Sequence, residues 1–187
     1  MIYTAIFGEK DKLRDDVLRF DDSLKYKDNP RLAAKIYKVL PHLFMDTEWS
    51  VWIDGNIKLH VSEDRLIDMT KPYDVGVFRH WERDCIYDEG EFCVKIGKDS
   101  RDVIAKQLSD YRQIGYPEKN GLAQCSILVR KHTDEVKRLN EKWWSHISRY
   151  SIRDQISFPV VYDGNFKYLP KVHIRKNKYW SRPKHVK

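Results

Sequence analysis

The chain has 187 residues, 41% apolar and 13% aromatic, with 35 Lys/Arg against 28 Asp/Glu for a formal net charge of +7. That length suffices for one full-sized domain with its own core and no staple. Three cysteines without a C-x-x-C pair, no signal-peptide pattern and no apolar run near the ~20 residues of a membrane span argue against a secreted disulfide scaffold or a membrane-spanning chain and point to a cytoplasmic setting.

The charge excess is local. Residues 171–187 hold seven Lys/Arg and no acid, so removing them leaves 28 basic against 28 acidic residues. A neutral body is not what phosphate-driven nucleic-acid binding requires, so nucleic acid is not the expected partner. The division expected is a single domain over 1–170 followed by a basic C-terminal tail over 171–187. Such a tail suits peripheral contact with an anionic membrane, a polyanion or a diphosphate, or it is a solvated, mobile terminus.

Residues 2–7 form a short apolar, β-branched run that reads as a buried first strand, followed by the turn G-E-K-D at 8–11. A second short strand is expected over 17–20. Asn29-Pro30 marks a helix start, with apolar spacing at Leu32, Ala33, Ile36, Val39 and Leu40 and a stop at Pro41. W-S-V-W-I at 49–53 reads as a buried strand ending in Asp54-Gly55-Asn56. Ser62 caps a helix to about Met69, and 74–78 is another buried strand. The polar run 79–84 leads into a helix to about Lys95. Ser100 caps a further helix ended by Gly115 and Pro117, and 124–129 is a strand. Thr133 caps a helix with Val136, Leu139, Trp143, Trp144 and Ile147 on one face. Residues 151–161 are helical in part, limited by Pro159, and 166–169 is the last expected strand. Strands alternating with helices predict an α/β domain with a mainly parallel central sheet flanked by helices. Ligands gather outside the carboxyl ends of such strands, where 8–11, 54–56 and Arg79-His80 would converge.

Asp54-Gly55 between apolar residues is a hairpin signal. It is also a chemical one: side chains at i and i+2 offer hard oxygens to Mg²⁺ or Mn²⁺ against a diphosphate leaving group. Asp154-Gln155 can hydrogen-bond sugar hydroxyls, or can simply complement a helix N-terminus. Residues 115–123 are either a sugar-contacting rim or an ordinary turn. Arg79, His80, Arg83 and the aromatics around them bind an anionic or sugar ligand, or form a surface ion-pair cluster. Lys38 and His42, one turn apart, are expected to face the same cleft.

Y-T-A-I-F-G at 3–8, K-V-L-P-H at 38–42, S-V-W-I-D-G-N at 50–56, F-R-H-W-E-R-D-C-I-Y at 78–87, G-Y-P-E-K-N-G-L at 115–122 and R-D-Q-I-S-F at 153–158 together resemble the family once labelled domain of unknown function 616. That family is glycosyltransferase-like and includes plant proteins linked to wall and mucilage polysaccharide. The resemblance implies a GT-A-type nucleotide-diphospho-sugar transferase fold. It assigns Asp54 and Asn56, with His173, to a Mn²⁺ or Mg²⁺ site. It puts Tyr3, Thr4, Ala5, Phe7, Lys38 and Gly55 at the donor. Asp154 and Gln155 look like the catalytic Asp-Gln pair facing the donor sugar in retaining, glycogenin-like transferases. Arg79, His80, Asp84, Tyr87, Glu118, Asn120 and Arg153 would face the sugar or acceptor. Two departures stand out. The Phe-Thr-Asp strand of longer members has only V-L-R-F-D-D at 17–22 as its counterpart, and Lys35 stands where the family often has Arg. The expected function is metal-dependent glycosyl transfer from a nucleotide-sugar, a UDP-sugar by this resemblance, to a glycan or other hydroxyl acceptor. The alternatives are a non-catalytic carbohydrate or nucleotide binder on the same fold and, behind it, a basic nucleic-acid-binding protein. No nucleophile–base arrangement supports an amide hydrolase.

Overall fold

The computed structural model describes residues 1–9, 11–21 and 29–184; positions 10, 22 and 185–187 of the segments read above lie outside the described residues. In chain order the elements are β1 (Ile2–Ile6), β2 (Leu18–Asp21), α1 (Pro30–Val39), β3 (Trp49–Ile53), β4 (Lys58–Leu59), α2 (Glu63–Thr70), β5 (Val75–Arg79), α3 (Ile86–Lys95), α4 (Arg101–Gln113), β6 (Ala123–Lys131), α5 (Asp134–Arg149), α6 (Asp154–Val161), β7 (Lys167–Leu169) and β8 (Trp180–Ser181). Six strands form one sheet in the order β2-β1-β3-β6-β5-β7, while β4 and β8 pair apart from it. The α/β layering agrees with expectation. The sheet is parallel at β1–β2, β1–β3 and β5–β7, and antiparallel where β6 meets β3 and β5.

Alternation along the strands builds the layers. Trp52 and Leu128 point to one face, where α1, α5 and α6 cover them with Ala33, Val136, Trp143 and Phe158. Val51, Ile53, Ile127 and Val129 point to the other, against Leu66 of α2 and Trp180 of β8. A third cluster joins α3, α4 and α6 through Ile86, Ile104, Leu108 and Ile156. All three cysteines are free and buried. No helix among the described residues is long and apolar enough to cross a membrane.

Several caps are as read. Asn29 accepts from the backbone N–H groups of Arg31 and Leu32, Ser62 from Arg65 and Thr133 from Val136. Ser100 makes no capping bond; Asp99 accepts from its backbone N–H instead. Pro159 does not stop α6 but sits inside it. It lies in the last turn of an eight-residue helix, so at most one intrahelical bond is lost.

The larger correction concerns residues beyond 170. Strand β8 pairs antiparallel with β4, Lys58 opposite Ser181 and Leu59 opposite Trp180. The Trp180 ring is 0% exposed and lies edge-on to Phe78 with centroids 4.6 Å apart. Its indole N–H donates to the Ile174 carbonyl at 3.0 Å. A mobile terminus is therefore not what residues 171–184 form. Burial of Tyr179 and Trp180 outweighs the solvation of the basic residues around them.

Candidate functional site

The carboxyl ends of β1 and β3 and the amino end of β6 share one edge, since β6 runs against β3 and the Asp54 backbone N–H donates to the Ser126 carbonyl at 2.9 Å. A cavity of about 300 Å³ opens there. Ala5, Trp52, Asp54, Gly55 and Asn56 line it from the strand side. Six of its lining residues are cations: Arg31, Lys35 and Lys38 on α1, and Lys98, Arg153 and Arg182 from three other segments. Asp11 and Asp54 are the only carboxylates lining it among the described residues.

Asp54-Gly55-Asn56-Ile57 is a turn closed by the Ile57 N–H on the Asp54 carbonyl at 2.9 Å. It is not a hairpin, because β3 and β4 belong to different sheets. Gly55 is required by packing: a Cβ there would stand 2.9 Å from Ile6 Cγ1 and 3.2 Å from Asp11 Oδ2. Freed from a hairpin partner, the Asp54 carboxylate faces the cavity. Its Oδ1 accepts from Trp52 Nε1 at 3.1 Å and from Lys38 Nζ at 3.4 Å, and its Oδ2 pairs with Arg182 Nη2.

Beneath the cations lies Asp154, at the first turn of α6 and 4% exposed. Its Oδ2 receives Lys35 Nζ at 2.5 Å and Lys38 Nζ at 2.6 Å. Lys38 thus bridges the two aspartates. Burial opposes its charge, but Asp154 and Asp54 outweigh that and raise its pKa. Lys35 has fewer counter-charges; burial prevails over its attraction to Asp154 and brings it down to about 8. Burial would push Asp154 up, yet Lys35, Lys38 and Arg153 hold it well below the usual carboxylate range. Asp54 is likewise lowered, as Lys38 and Arg182 override its desolvation. The backbone of Lys38 is fixed in turn: its carbonyl accepts from buried Arg130 Nη2 at 2.5 Å, and Arg130 also donates to the Tyr3 hydroxyl at 2.6 Å and to Asn140 Oδ1 at 3.0 Å.

The residues named from sequence divide into two groups. Lys38, Asp54, Gly55, Asn56, Ala5 and Arg153 meet at this cavity. Gln155 lies beside it, its Oε1 accepting from Arg153 Nη2 at 2.9 Å and its amide donating to the Ala123 carbonyl at 3.4 Å. Tyr3, Thr4 and Phe7 are interior, Phe7 stacking on Tyr37 with centroids 5.8 Å apart. His173 is not brought to Asp54; it packs edge-on against Trp81 with centroids 4.6 Å apart. His80 is buried, and its Nδ1 accepts from the backbone N–H groups of Glu82 and Arg83, which fixes a turn. Arg79 lies over the Tyr168 ring, Tyr87 donates to the Tyr116 carbonyl, and Asn120 donates to the Tyr116 hydroxyl. Asp84 and Glu118 are exposed. None of these lines the cavity. His42 parts from Lys38 and lines a larger cavity of about 600 Å³ with Glu48 and His132, at the opposite end of β3. That cavity sets Lys131 and Lys137 against Asp46 and Glu48, so it lacks the excess of cations over carboxylates that lines the first.

Sequence reasoning brought Asp11 to this edge with the 8–11 turn but missed Arg31, Lys98 and Arg182 at the cavity. Only Arg182 carried a signal, and it was counted as tail charge.

The fit of a divalent ion can be judged from the donors. Both Asp54 oxygens are already occupied by cationic or indole N–H groups. Asn56 donates its amide N–H to the Pro183 carbonyl at 3.1 Å, leaving one buried, unpartnered carbonyl oxygen. No cluster of three or more His, Cys, Asp or Glu suited to a metal occurs among the described residues. One neutral oxygen, one saturated carboxylate and Asp11, which is itself already engaged, do not make a divalent-ion site among six cations.

A family model described as TOD1/MUCI70, glycosyltransferase-like domain, matches residues 17–179. The chain is 27% identical over 153 residues to the probable hexosyltransferase MUCI70 of Arabidopsis thaliana, covering 75% of this chain and 26% of that protein. It thus spans about a quarter of the length of the curated relative it matches. No solved structure matches.

Proposed function

The chain belongs to the TOD1/MUCI70 glycosyltransferase-like family, and from that premise we propose that it is a GT-A-type transferase moving a hexose from a nucleoside-diphosphate sugar, a UDP-sugar by the sequence resemblance, to a glycan hydroxyl. The observation that carries this reading is the cation-lined cavity at the strand ends, with Asp154 held beneath Lys35 and Lys38. As the bond from the anomeric carbon to the diphosphate breaks, negative charge gathers on the departing phosphate. Cations already fixed around the cavity stabilise that charge without reorganising. Positive charge gathers on the sugar ring in the same step. Asp154, held ionised by its lysines, is suited to face that charge and poorly suited to take a proton at neutral pH. Retention of configuration accords with that role.

One observation favours a second reading, a nucleotide or carbohydrate binder without turnover: Asp154 and Gln155 are 4% and 8% exposed and lie under other side chains. Incubation with a panel of UDP-hexoses, with and without oligosaccharide acceptors, separates the two by measuring UDP release. The transferase reading expects release above background and a loss of about 10²-fold in Lys38→Ala. UDP binding with no release from any donor would instead establish the binder.

A further inference from the structure

We infer that Arg182, working with Lys38, takes the place a divalent ion would hold, so that a nucleoside diphosphate binds this cavity directly on side-chain cations. The inference rests on the transferase reading and concerns how its donor is held. Arg182 is delivered by a folded element. Its backbone N–H donates to the Arg175 carbonyl at 2.6 Å, and Asn177 Oδ1 accepts from the backbone N–H groups of Tyr179 and Trp180 at 2.7 and 3.1 Å. Trp180, two residues before it, is anchored in the core. The carbonyl of Pro183, the next residue, is held by Asn56. The guanidinium is therefore positioned from both sides, and it sits on the Asp54 oxygen not used by Lys38.

The same geometry leaves donors to spare. Arg182 Nε is buried without a partner among the described residues, and a guanidinium carries five N–H groups in a planar fork that matches phosphate oxygens. Asp54 then acts as a positioning residue. It holds Arg182 and Lys38 at the mouth of the cavity until phosphate oxygens compete for them. A divalent ion at Asp54 would have to displace both cations first. The family match ends at residue 179, so Arg182 lies outside what the comparison covers.

The test is calorimetric titration of the 187-residue chain with UDP and with pyrophosphate, in EDTA and again in Mn²⁺. The variants are Arg182→Ala, Arg182→Lys and Asp54→Asn, each checked for an unchanged circular-dichroism spectrum. Binding in EDTA is expected for the parent chain, weakened about tenfold in Arg182→Ala and partly restored in Arg182→Lys. Asp54→Asn is expected to tighten binding in EDTA, since a competing carboxylate is removed; a metal-bridged donor requires the opposite sign. Binding that needs Mn²⁺ and is lost in Asp54→Asn would overturn the inference and leave the transferase reading in place. Equal affinity of Arg182→Ala and the parent would also overturn it. No binding of UDP under either condition would overturn both.

Discussion

Lys35 and Lys38 sit one turn apart on α1 and touch the same carboxylate oxygen, yet they are held differently. Lys38 has a second aspartate and its pKa is raised; Lys35 has one and is brought down to about 8 by burial. The sign for stability follows. Below pH 8 Lys35 is charged in folded and unfolded chains alike. Between pH 8 and its ordinary value of 10.5 the unfolded chain binds a proton that the folded chain has lost, so this group makes stability rise with pH across that window. Donor binding responds the other way, because the ammonium is what meets phosphate. The dissociation constant for UDP should be level up to about pH 8 and then rise toward about tenfold per unit. Calorimetry across pH 7–10 on the parent and Lys35→Arg checks this, since a guanidinium keeps its proton throughout. Arg is also the residue to which the family resemblance pointed at this position, and a bend that persisted in the variant would assign the titration elsewhere. Asp154→Asn probes the same pair from below. It strands two buried ammonium groups and should cost about 3–5 kcal/mol in urea unfolding near neutral pH. Because Asp154 is what holds Lys35 up against burial, its loss lets Lys35 shed its proton at lower pH, so that cost should shrink as pH rises toward 8 and stay level above it.

At the scale of elements, what was legible depended on whether the signal was local. The Asn29-Pro30, Ser62 and Thr133 starts are set by a side chain bonding its own next turn, and all three were readable. The strand 49–53 and the position of Asp54 at its end were readable for the same reason. The hairpin was not, because its outcome depends on a remote competitor. β4 has the choice of folding back on β3 or pairing with β8, and burial of Trp180 against Phe78 decides for β8. Strand β8 itself was hidden, two residues long among Lys and Arg, with no alternation to mark it. The turn that results is tight. Gly55→Ala would drive a methyl into Ile6 and Asp11, and a loss of about 1–3 kcal/mol is expected by chemical denaturation. Since Asp11 lines the cavity, UDP affinity should fall with it. A variant that lost neither would show that β1 yields easily at this point.

For the whole molecule, the sheet's mixed character and the fate of the C-terminal segment were both illegible from pattern. Residues 124–129 identified β6 as a strand but not its direction, which is fixed by where α4 and the turn after it return the chain. The charge ledger gave a neutral body with a basic appendage, and that arithmetic stands. What it could not show is that the appendage contributes both to the core and to the cavity. The two contributions separate by experiment. Ending the chain at residue 170 removes Tyr179 and Trp180 from the core cluster around Phe78, Ile57 and Leu169 and uncovers that face of the sheet. A loss of about 3–5 kcal/mol is expected for Trp180 alone, enough to leave the truncated chain aggregating or unfolded in a thermal melt. Changing Lys171, Arg175, Lys176 and Lys178 together to Gln removes four of the seven basic residues in 171–187 but replaces no core side chain, since all four are exposed. That variant should melt close to the parent and keep its UDP affinity, while any retention on heparin or anionic vesicles falls and loses its salt dependence. A truncated chain as stable as the parent would return residues 171–184 to the status of a solvated tail. Arg182 could then no longer be regarded as a fixed wall of the cavity.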